Sequence, residues 1–357
     1  MVIHPLRTTY FIVAYAHING ARSQRNKEVF VGAIWERFVA VCRGIGVECA
    51  DRPPSDSTLR RVCIGAEFEV ASSLLTRLIV SRHTEKSLDG EFHRYAIDGK
   101  ARTSASTGTG KTEIDVTLLD VDFVSILGKK IVGAKEGEQP ISCDLVREFA
   151  SNLPTGVITG DAGIVSPDLT KVIIDNFHDY LFTLKGNAGE VHNLLKQLPW
   201  REVPFDFQQV NYGHGRTESR GVKIVRVSGC GIDDLEKYHG ISYVGQITRY
   251  RGIDSTLEET LTTHYFIGSE EHIVMTPKAI AEALRGHWGI ENHLHRVRDV
   301  ELGEDALPLM HAPMSRVCGL FDDLATFLAD GLKRGFRYFV QEMRADSMAV
   351  LDSWLMI

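Results

Sequence analysis

Residues 94–100 (RYAIDGK) and residues 157–163 (VITGDAG) decide the fold of this chain. In each stretch a short run rich in strand-forming residues ends in an aspartate, Asp98 or Asp161, with a glycine beside it. Both patterns are typical of a β-strand that ends in a polar turn. Taken alone, either aspartate is explained by the turn itself, because aspartate and glycine are common turn residues.

The segments between and after the two aspartates predict the remaining elements of one sheet. Residues 112–120 and 121–133 suit a pair of antiparallel strands, and a helix is expected at about 142–152. A helix at about 166–177 and a strand at 180–184 follow the second aspartate. The order strand, hairpin, helix, strand, helix, strand predicts an α/β fold with a mixed sheet and flanking helices.

The flanking parts of the chain differ from this central part in composition. We expect an N-terminal helical subdomain at 1–88, the first part of the core at 89–199, a β-rich insertion at 200–270 and a helical part at 271–357. A polar turn in the first part contains Ser55 and Ser57, and we expect one of these two serines to cap the next helix. Short helices joined by such a turn are typical of a DNA-reading helix-turn-helix and equally of any small helical subdomain.

Composition and charge narrow the class of protein. The formal net charge of −7 argues against a small protein that coats DNA, because phosphate contacts need lysine and arginine, but a local basic stripe can coexist with it. The six cysteines form no CxxC pair, which favours neither a zinc knuckle nor a disulfide framework. No apolar run reaches membrane length, so we expect no membrane partner and a cytoplasmic location.

Asp98 and Asp161 together suggest a metal site. Functional groups gather at strand ends in an open α/β sheet, because loops there vary while the sheet stays rigid. Mg²⁺ prefers hard oxygen ligands and keeps several waters, so two or three carboxylates can hold it. Two such ions about 4 Å apart can activate a water and stabilise a leaving oxygen at phosphorus.

Glu291 is the candidate for the third carboxylate. A helix is predicted at 277–298, opening with Pro277, and on it His287, Glu291 and Arg298 are spaced to share one side. A carboxylate between basic groups suits a metal ligand beside a phosphate backbone. The same spacing is also typical of an ordinary surface ion pair.

At this point the chain resembles a known family. It is similar to the DDE-type insertion-sequence transposases of the group that includes the H-repeat-associated proteins of Rhs elements. The resembling motifs run in order over nearly the whole chain: His4-Pro5-Leu6, Gly20-Ala21-Arg22-Ser23, residues 53–62 (PPSDSTLRRV), 96–100 (AIDGK), 160–162 (GDA), 185–187 (KGN), 214–220 (HGRTESR) and 287–295 (HWGIENHLH).

The resemblance implies a fold, an activity and a cofactor. It implies an RNase H-like core with a β-rich insertion before the last acid, and Asp98, Asp161 and Glu291 as the catalytic triad and metal ligands. It implies cleavage of DNA at transposon ends and strand transfer, with Mg²⁺ or Mn²⁺ as cofactor. The expected partners are double-stranded DNA with terminal inverted repeats and a second copy of the chain in a paired-end complex, acting at the bacterial nucleoid.

Several basic or polar residues are candidates for DNA contacts. Lys185 and Asn187 follow the strand predicted at 180–184, and an ordinary turn explains them equally well. The basic residues of the motif at 214–220 are explained equally well by a charged hairpin. The full expected DNA-binding set is Lys100, Lys185, Asn187, His214, Arg216, Arg220, Arg285, His287 and Arg298.

Two other functions remain open at the level of sequence. An RNase H-like nuclease that does not transpose would use the same carboxylates. An inactive transposase relic, or a regulator that only binds DNA, would keep the fold and lose turnover.

Overall fold

The structure is a computed structural model, and it describes most of the chain. The described residues are 4–44, 46–65, 67–83, 92–102, 105–106, 113–123, 125–133, 137–185, 189–213, 216–253, 258–304, 310–331 and 336–346. Motif residues Asn187 and His214 lie outside these ranges.

The described helices and strands are as follows. The helices are α1 (Leu6–Ile18), α2 (Gln24–Gly44), α3 (Asp56–Ile64), α4 (Phe68–His83), α5 (Glu138–Phe149), α6 (Pro167–Asp175), α7 (Gly189–Gln197), α8 (Pro277–Gly289), α9 (Arg296–Val300), α10 (Ala312–Gly331) and α11 (Phe336–Ala345). The strands are β1 (His93–Ala101), β2 (Ala105–Ser106), β3 (Ile114–Asp120), β4 (Ser125–Val132), β5 (Gly156–Gly160), β6 (Asp179–Leu184), β7 (Phe207–Gly213), β8 (Arg216–Arg226), β9 (Ile241–Ile253), β10 (Glu258–Ser269) and β11 (Met310–His311).

The chain divides into two compact units. The first contains residues 1–81, 101–114 and 292–357, and the second contains residues 82–100 and 115–291. Among the described residues, no helix has both the length and the apolarity to cross a membrane.

The first unit is mainly helical. Its core joins α1, α3 and α10 through buried apolar side chains such as Val13, Leu59 and Phe321. The Ser55 hydroxyl accepts a hydrogen bond from the Thr58 amide at the start of α3, so the predicted cap is confirmed. The N-terminal helices α1 and α3 therefore share one core with the C-terminal helix α10, and the predicted division of the chain at residue 88 stays a prediction.

The second unit is built on one large mixed sheet. The described residues form nine strands in the order β4-β3-β1-β5-β6-β10-β9-β8-β7. Strands β1, β5 and β6 run parallel, since β5 pairs with both of its neighbours in parallel register. Helices α5 and α6 connect these strands, as the sequence predicts, because parallel neighbours need a crossover connection.

The predicted β-rich insertion is an extension of this sheet. Strands β7 to β10 pair antiparallel with one another, and β10 pairs antiparallel with the core strand β6. Helix α8 packs on the extended sheet, and its Leu284 shares a buried cluster with Val222, Ile247 and Phe266. The Thr276 hydroxyl caps α8, and Pro277 occupies its first turn, which is where the sequence places this proline.

The helix predicted at 277–298 is interrupted in the structure. Helix α8 ends at Gly289, the segment Ile290–His295 is π-helical, and α9 begins only at Arg296. A π-helix bonds residues five apart and so adds a residue to each turn. The prediction of one unbroken α-helix over 277–298 is therefore wrong, while the shared side of His287, Glu291 and Arg298 stays a prediction.

Candidate active site

Asp98 and Asp161 lie beside one another on neighbouring parallel strands. Ile97 of β1 is paired with Gly160 of β5, and the aspartates are the next residues along the chain, Asp98 within β1 and Asp161 directly after β5. Adjacent strands are about 4.8 Å apart. The backbone therefore brings the first two acids of the expected triad to the same level of the sheet.

The carboxylate of Asp161 is held by an amide and an ammonium group. Its Oδ1 accepts a hydrogen bond from the Gly163 amide at 2.8 Å, and its Oδ2 accepts one from Lys185 Nζ at 3.1 Å. Burial by itself would raise the pKa of Asp161, but these two bonds and the charge of Lys185 hold it below its ordinary value. Asp161 is therefore ionised, as a metal ligand must be.

Glu138 lies next to both aspartate-bearing turns. If Gly99 carried a Cβ atom, that atom would lie 2.9 Å from the Glu138 carboxyl carbon. A Cβ atom on Gly163 would lie 3.7 Å from Glu138 Oε2 and 3.1 Å from Asp161 Oδ1. Burial, with the negative charge of Asp161 second, raises the pKa of Glu138. The two glycines thus make room for a further carboxylate that the sequence reasoning missed.

The signal for Glu138 in the sequence is weak. It follows Gly137, which has a positive φ of 74°, and it lies in the first turn of α5, where an acid is also explained by the helix dipole. Only the closeness of the Glu138 carboxyl group to Gly99 and Gly163 distinguishes the two explanations.

Glu291 lies in the π-helical segment that follows α8. Single-turn π-helical segments are frequent at functional sites. The side chain of Glu291 lies outside the described part of the structure. The convergence of all three acids consequently stays a prediction.

His287 is buried and uncharged beside this site. Its Nδ1 lies 3.2 Å from Thr159 Oγ1, and the Thr159 hydroxyl donates its proton to the Tyr95 carbonyl at 3.0 Å. The hydroxyl can therefore only accept from His287, which fixes the ring as the Nδ1–H tautomer. Burial lowers the pKa of His287 to about 4, although the charge of Asp161 acts in the opposite direction.

The donor set near Asp161 fits Mg²⁺ or Mn²⁺ in its chemistry. Asp98, Asp161 and Glu138 offer carboxylate oxygens, which these hard cations prefer. Within the described side chains no three histidine, cysteine, aspartate or glutamate residues are grouped as a single ion requires. Since the Glu291 side chain is outside that set, the metal site remains an expectation.

The expected DNA-binding residues differ in how far their side chains are exposed. Lys100 lies in β1 just after Asp98, Lys185 is half-exposed, and Arg285 is exposed on α8, whereas Arg220 is mostly buried in β8. Arg298 is 2% exposed and bonds to Glu304 at 2.8 Å and Asp323 at 3.1 Å.

Two members of the expected set do not fit a phosphate contact. The charge of Arg298 is neutralised by its two buried carboxylate partners, and His287 carries no charge at neutral pH. Of the remaining motif residues, Asn187, His214 and the side chain of Arg216 are outside the described part of the structure. The structure instead brings two other arginines, Arg249 and Arg251, to the strand beside Arg220.

Comparisons with known proteins agree with the motif resemblance. "Putative transposase YncI" of Escherichia coli O157:H7 is 28% identical over 263 residues, which are 71% of this chain and 65% of that protein. "H repeat-associated putative transposase YhhI" of E. coli K12 is 30% identical over 221 residues, 59% of this chain and 57% of that protein. The chain is therefore similar, over much of its length, to proteins named as putative transposases. No protein-family model matches it.

The matches cover part of each relative. The chain spans less than two thirds of the length of these curated relatives. A cryo-EM structure of a piggyBac transposase synaptic complex with hairpin DNA aligns with 95% of this chain and 70% of that chain, at 11% identity and a TM-score of 0.46.

Proposed function

We propose that this chain is a transposase that cuts and joins DNA at the ends of an insertion sequence. The observation that carries the proposal is the pairing of Ile97 with Gly160, which sets Asp98 and Asp161 side by side, as expected for two acids of one catalytic site. The strands β4-β3-β1-β5-β6 are then an RNase H-like core, and β7 to β10 are its insertion.

The proposed reaction is the displacement of an alcohol at phosphorus. In cleavage, the oxygen of a water molecule attacks the phosphorus, the bond to the 3′ oxygen breaks, and this oxygen takes up a proton to become a 3′ hydroxyl. In joining, that 3′ hydroxyl attacks a target phosphodiester and releases another 3′ hydroxyl. Bound Mg²⁺ or Mn²⁺ would supply the polarisation of the attacking and leaving oxygens.

Each nearby side chain has a definite role in this proposal. Asp98, Asp161 and Glu291 hold the metal ions, and the Gly163 amide orients the Asp161 carboxylate. The Lys185 ammonium, 3.1 Å from Asp161 Oδ2, lies where it can contact a bound phosphate. Neutral His287 ties α8 to β5 through Thr159, which fixes the end of the helix that leads to Glu291.

The partners follow from the same proposal. The substrate is double-stranded DNA with terminal inverted repeats, and two copies of the chain would join a pair of ends. The chain would act in the cytoplasm on nucleoid DNA.

A cleavage assay tests the proposal. Purified protein with Mg²⁺ is expected to nick DNA that carries the gene's own flanking sequences, and Asp98→Asn, Asp161→Asn or Glu291→Gln is expected to abolish nicking. Glu282→Gln is the matched control, because Glu282 is half-exposed on α8 and pairs only with Lys278 among the described residues. Nicking of any duplex irrespective of its ends would instead indicate a nuclease that does not transpose, and binding without nicking would indicate a relic.

A further inference from the structure

A group of arginines shares one side of the extended sheet. In the antiparallel register Arg220 of β8 is paired with Arg249 of β9, and Glu218 with Arg251. Directly paired residues point to the same side, as do residues two apart along a strand. We call Arg220, Arg249, Arg251 and the nearby Arg285 of α8 the arginine face.

The positive charge of this face is only partly balanced. Glu218 accepts hydrogen bonds from Arg220 Nη2 at 3.0 Å and from Arg249 Nη2 at 3.4 Å. Burial, and then the charge of Arg285, lowers the pKa of Arg220, which shows that Arg285 is close to it. Among the described side chains, one carboxylate thus faces four guanidinium groups, whose mutual repulsion is costly in the free protein.

The arginine face also contains N–H groups that have no hydrogen-bond acceptor among the described residues. The buried Nε atoms of Arg220, Arg249 and Arg251 have no hydrogen-bond partner among the described residues. The Arg249 guanidinium lies 5.9 Å from the ring centre of Trp288, and this contact orients it. A buried donor without a partner costs free energy, and an acceptor that reached these guanidinium groups would recover part of this cost.

The surroundings of the face are polar and accessible. On the neighbouring strands, Gln209 is paired with Arg220 and Thr262 with Arg249. In the next row, Asn211 is paired with Glu218 and Thr260 with Arg251. These four polar residues, Gln209, Asn211, Thr260 and Thr262, are all exposed. They offer amide and hydroxyl groups and add no negative charge.

The position of the face connects it to the proposed catalytic centre. On the same side of the sheet, Val222 and Ile247 are buried under α8, which also carries Arg285 and Trp288. The next residues of the chain form the π-helical segment with Glu291. The arginine face therefore lies beside the helix that leads into the catalytic centre.

We propose that the arginine face binds the phosphate backbone of duplex DNA. Guanidinium groups bind phosphate oxygens through two parallel N–H bonds, and a row of them matches a polyanion better than a single small anion. This inference rests on the proposed function, because it places the DNA next to Glu291. It explains how a chain with a net charge of −7 can bind DNA, since the needed cations are concentrated on one surface.

A salt titration of DNA binding tests this inference. Fluorescence anisotropy would give Kd for a duplex with the gene's flanking sequence, in EDTA, from about 0.05 M to about 0.3 M salt. The double variant Arg249→Gln/Arg251→Gln is expected to weaken binding at least tenfold and to reduce the slope of log Kd against log salt by about two. Lys171→Gln/Lys278→Gln, which removes the same charge from two exposed lysines, is the matched control with an unchanged slope.

One further variant keeps the outcomes distinct. Arg285→Gln changes an exposed helix position, so it tests the same face without disturbing the strands, and it should reduce the slope by about one. An unchanged slope in both arginine variants would overturn the inference, even if the wild-type protein nicks DNA. If the wild-type protein binds but never nicks, a reduced slope still supports the arginine face while the proposed cleavage fails.

Discussion

Replacing His287 with asparagine tests whether His287 is buried and neutral in the folded protein. The asparagine amide can still donate to the Thr159 hydroxyl, but it cannot take up a proton. In the wild-type protein the pKa of His287 falls from 6.5 to about 4 on folding, because burial disfavours the charged ring. The unfolded chain therefore binds this proton more readily than the folded one, and stability is lost as pH falls from 6.5 towards 4.

The magnitude follows from the two pKa values. At about pH 5 the histidine is mostly protonated in the unfolded chain and mostly neutral in the folded one, which costs about 2 kcal/mol. Urea unfolding at about pH 7.5 and about pH 5 would measure the loss, and the wild-type protein should lose about 2 kcal/mol more than His287→Asn. An equal loss in both proteins would refute the assignment of a neutral, buried His287.

The remaining predictions concern Glu138, Lys185 and one crowded glycine. Glu138→Gln should weaken Mn²⁺ binding in a calorimetric titration, because it removes a carboxylate beside the site, whereas Glu148→Gln, half-exposed on the same helix, should not. Lys185→Ala should tighten Mn²⁺ binding, because the Lys185 ammonium donates a hydrogen bond to an Asp161 oxygen that a metal ion would use. The same change should weaken DNA binding, because it removes a positive charge that can contact a bound phosphate. Gly245→Ala should lower stability by about 2 kcal/mol in urea unfolding, because its Cβ would overlap an aromatic ring, whereas Gly213→Ala meets no atom within 4 Å.

Contrary results would be specific to each change. Unchanged Mn²⁺ affinity in Glu138→Gln would show that this carboxylate takes no part in the site. Weaker Mn²⁺ binding in Lys185→Ala would show that the ammonium supports the site instead of competing for it. Equal stability of the two glycine variants would contradict the close packing of β9 against β10.

Local sequence patterns predicted most of the core elements. The apolar runs before Asp98 and Asp161, the serine at the start of α3 and the proline at the start of α8 act within a few residues of the structure they specify. The adjacency of β1 and β5 also follows, because successive strands joined by a crossover commonly pair.

The features that the sequence did not predict depend on distant partners. Arg298 is neutralised by Asp323, which is 25 positions later and lies on another helix. The arginine face exists only because the register of β8 and β9 sets Arg220 opposite Arg249. The π-helical segment interrupts a pattern that would suit a continuous α-helix. For Arg298 and the arginine face, the deciding contact joins residues that no short pattern connects.

The central claim is that Asp161 holds a catalytic metal ion, and a change of metal specificity tests it most directly. Asp161→Cys replaces a hard oxygen ligand with a softer sulfur, which accepts Mn²⁺ more readily than Mg²⁺. We expect this variant to leave end-containing DNA intact in Mg²⁺ and to nick it in Mn²⁺, while the wild-type protein nicks in both. Equal nicking of the variant and the wild-type protein in Mg²⁺ would contradict the claim.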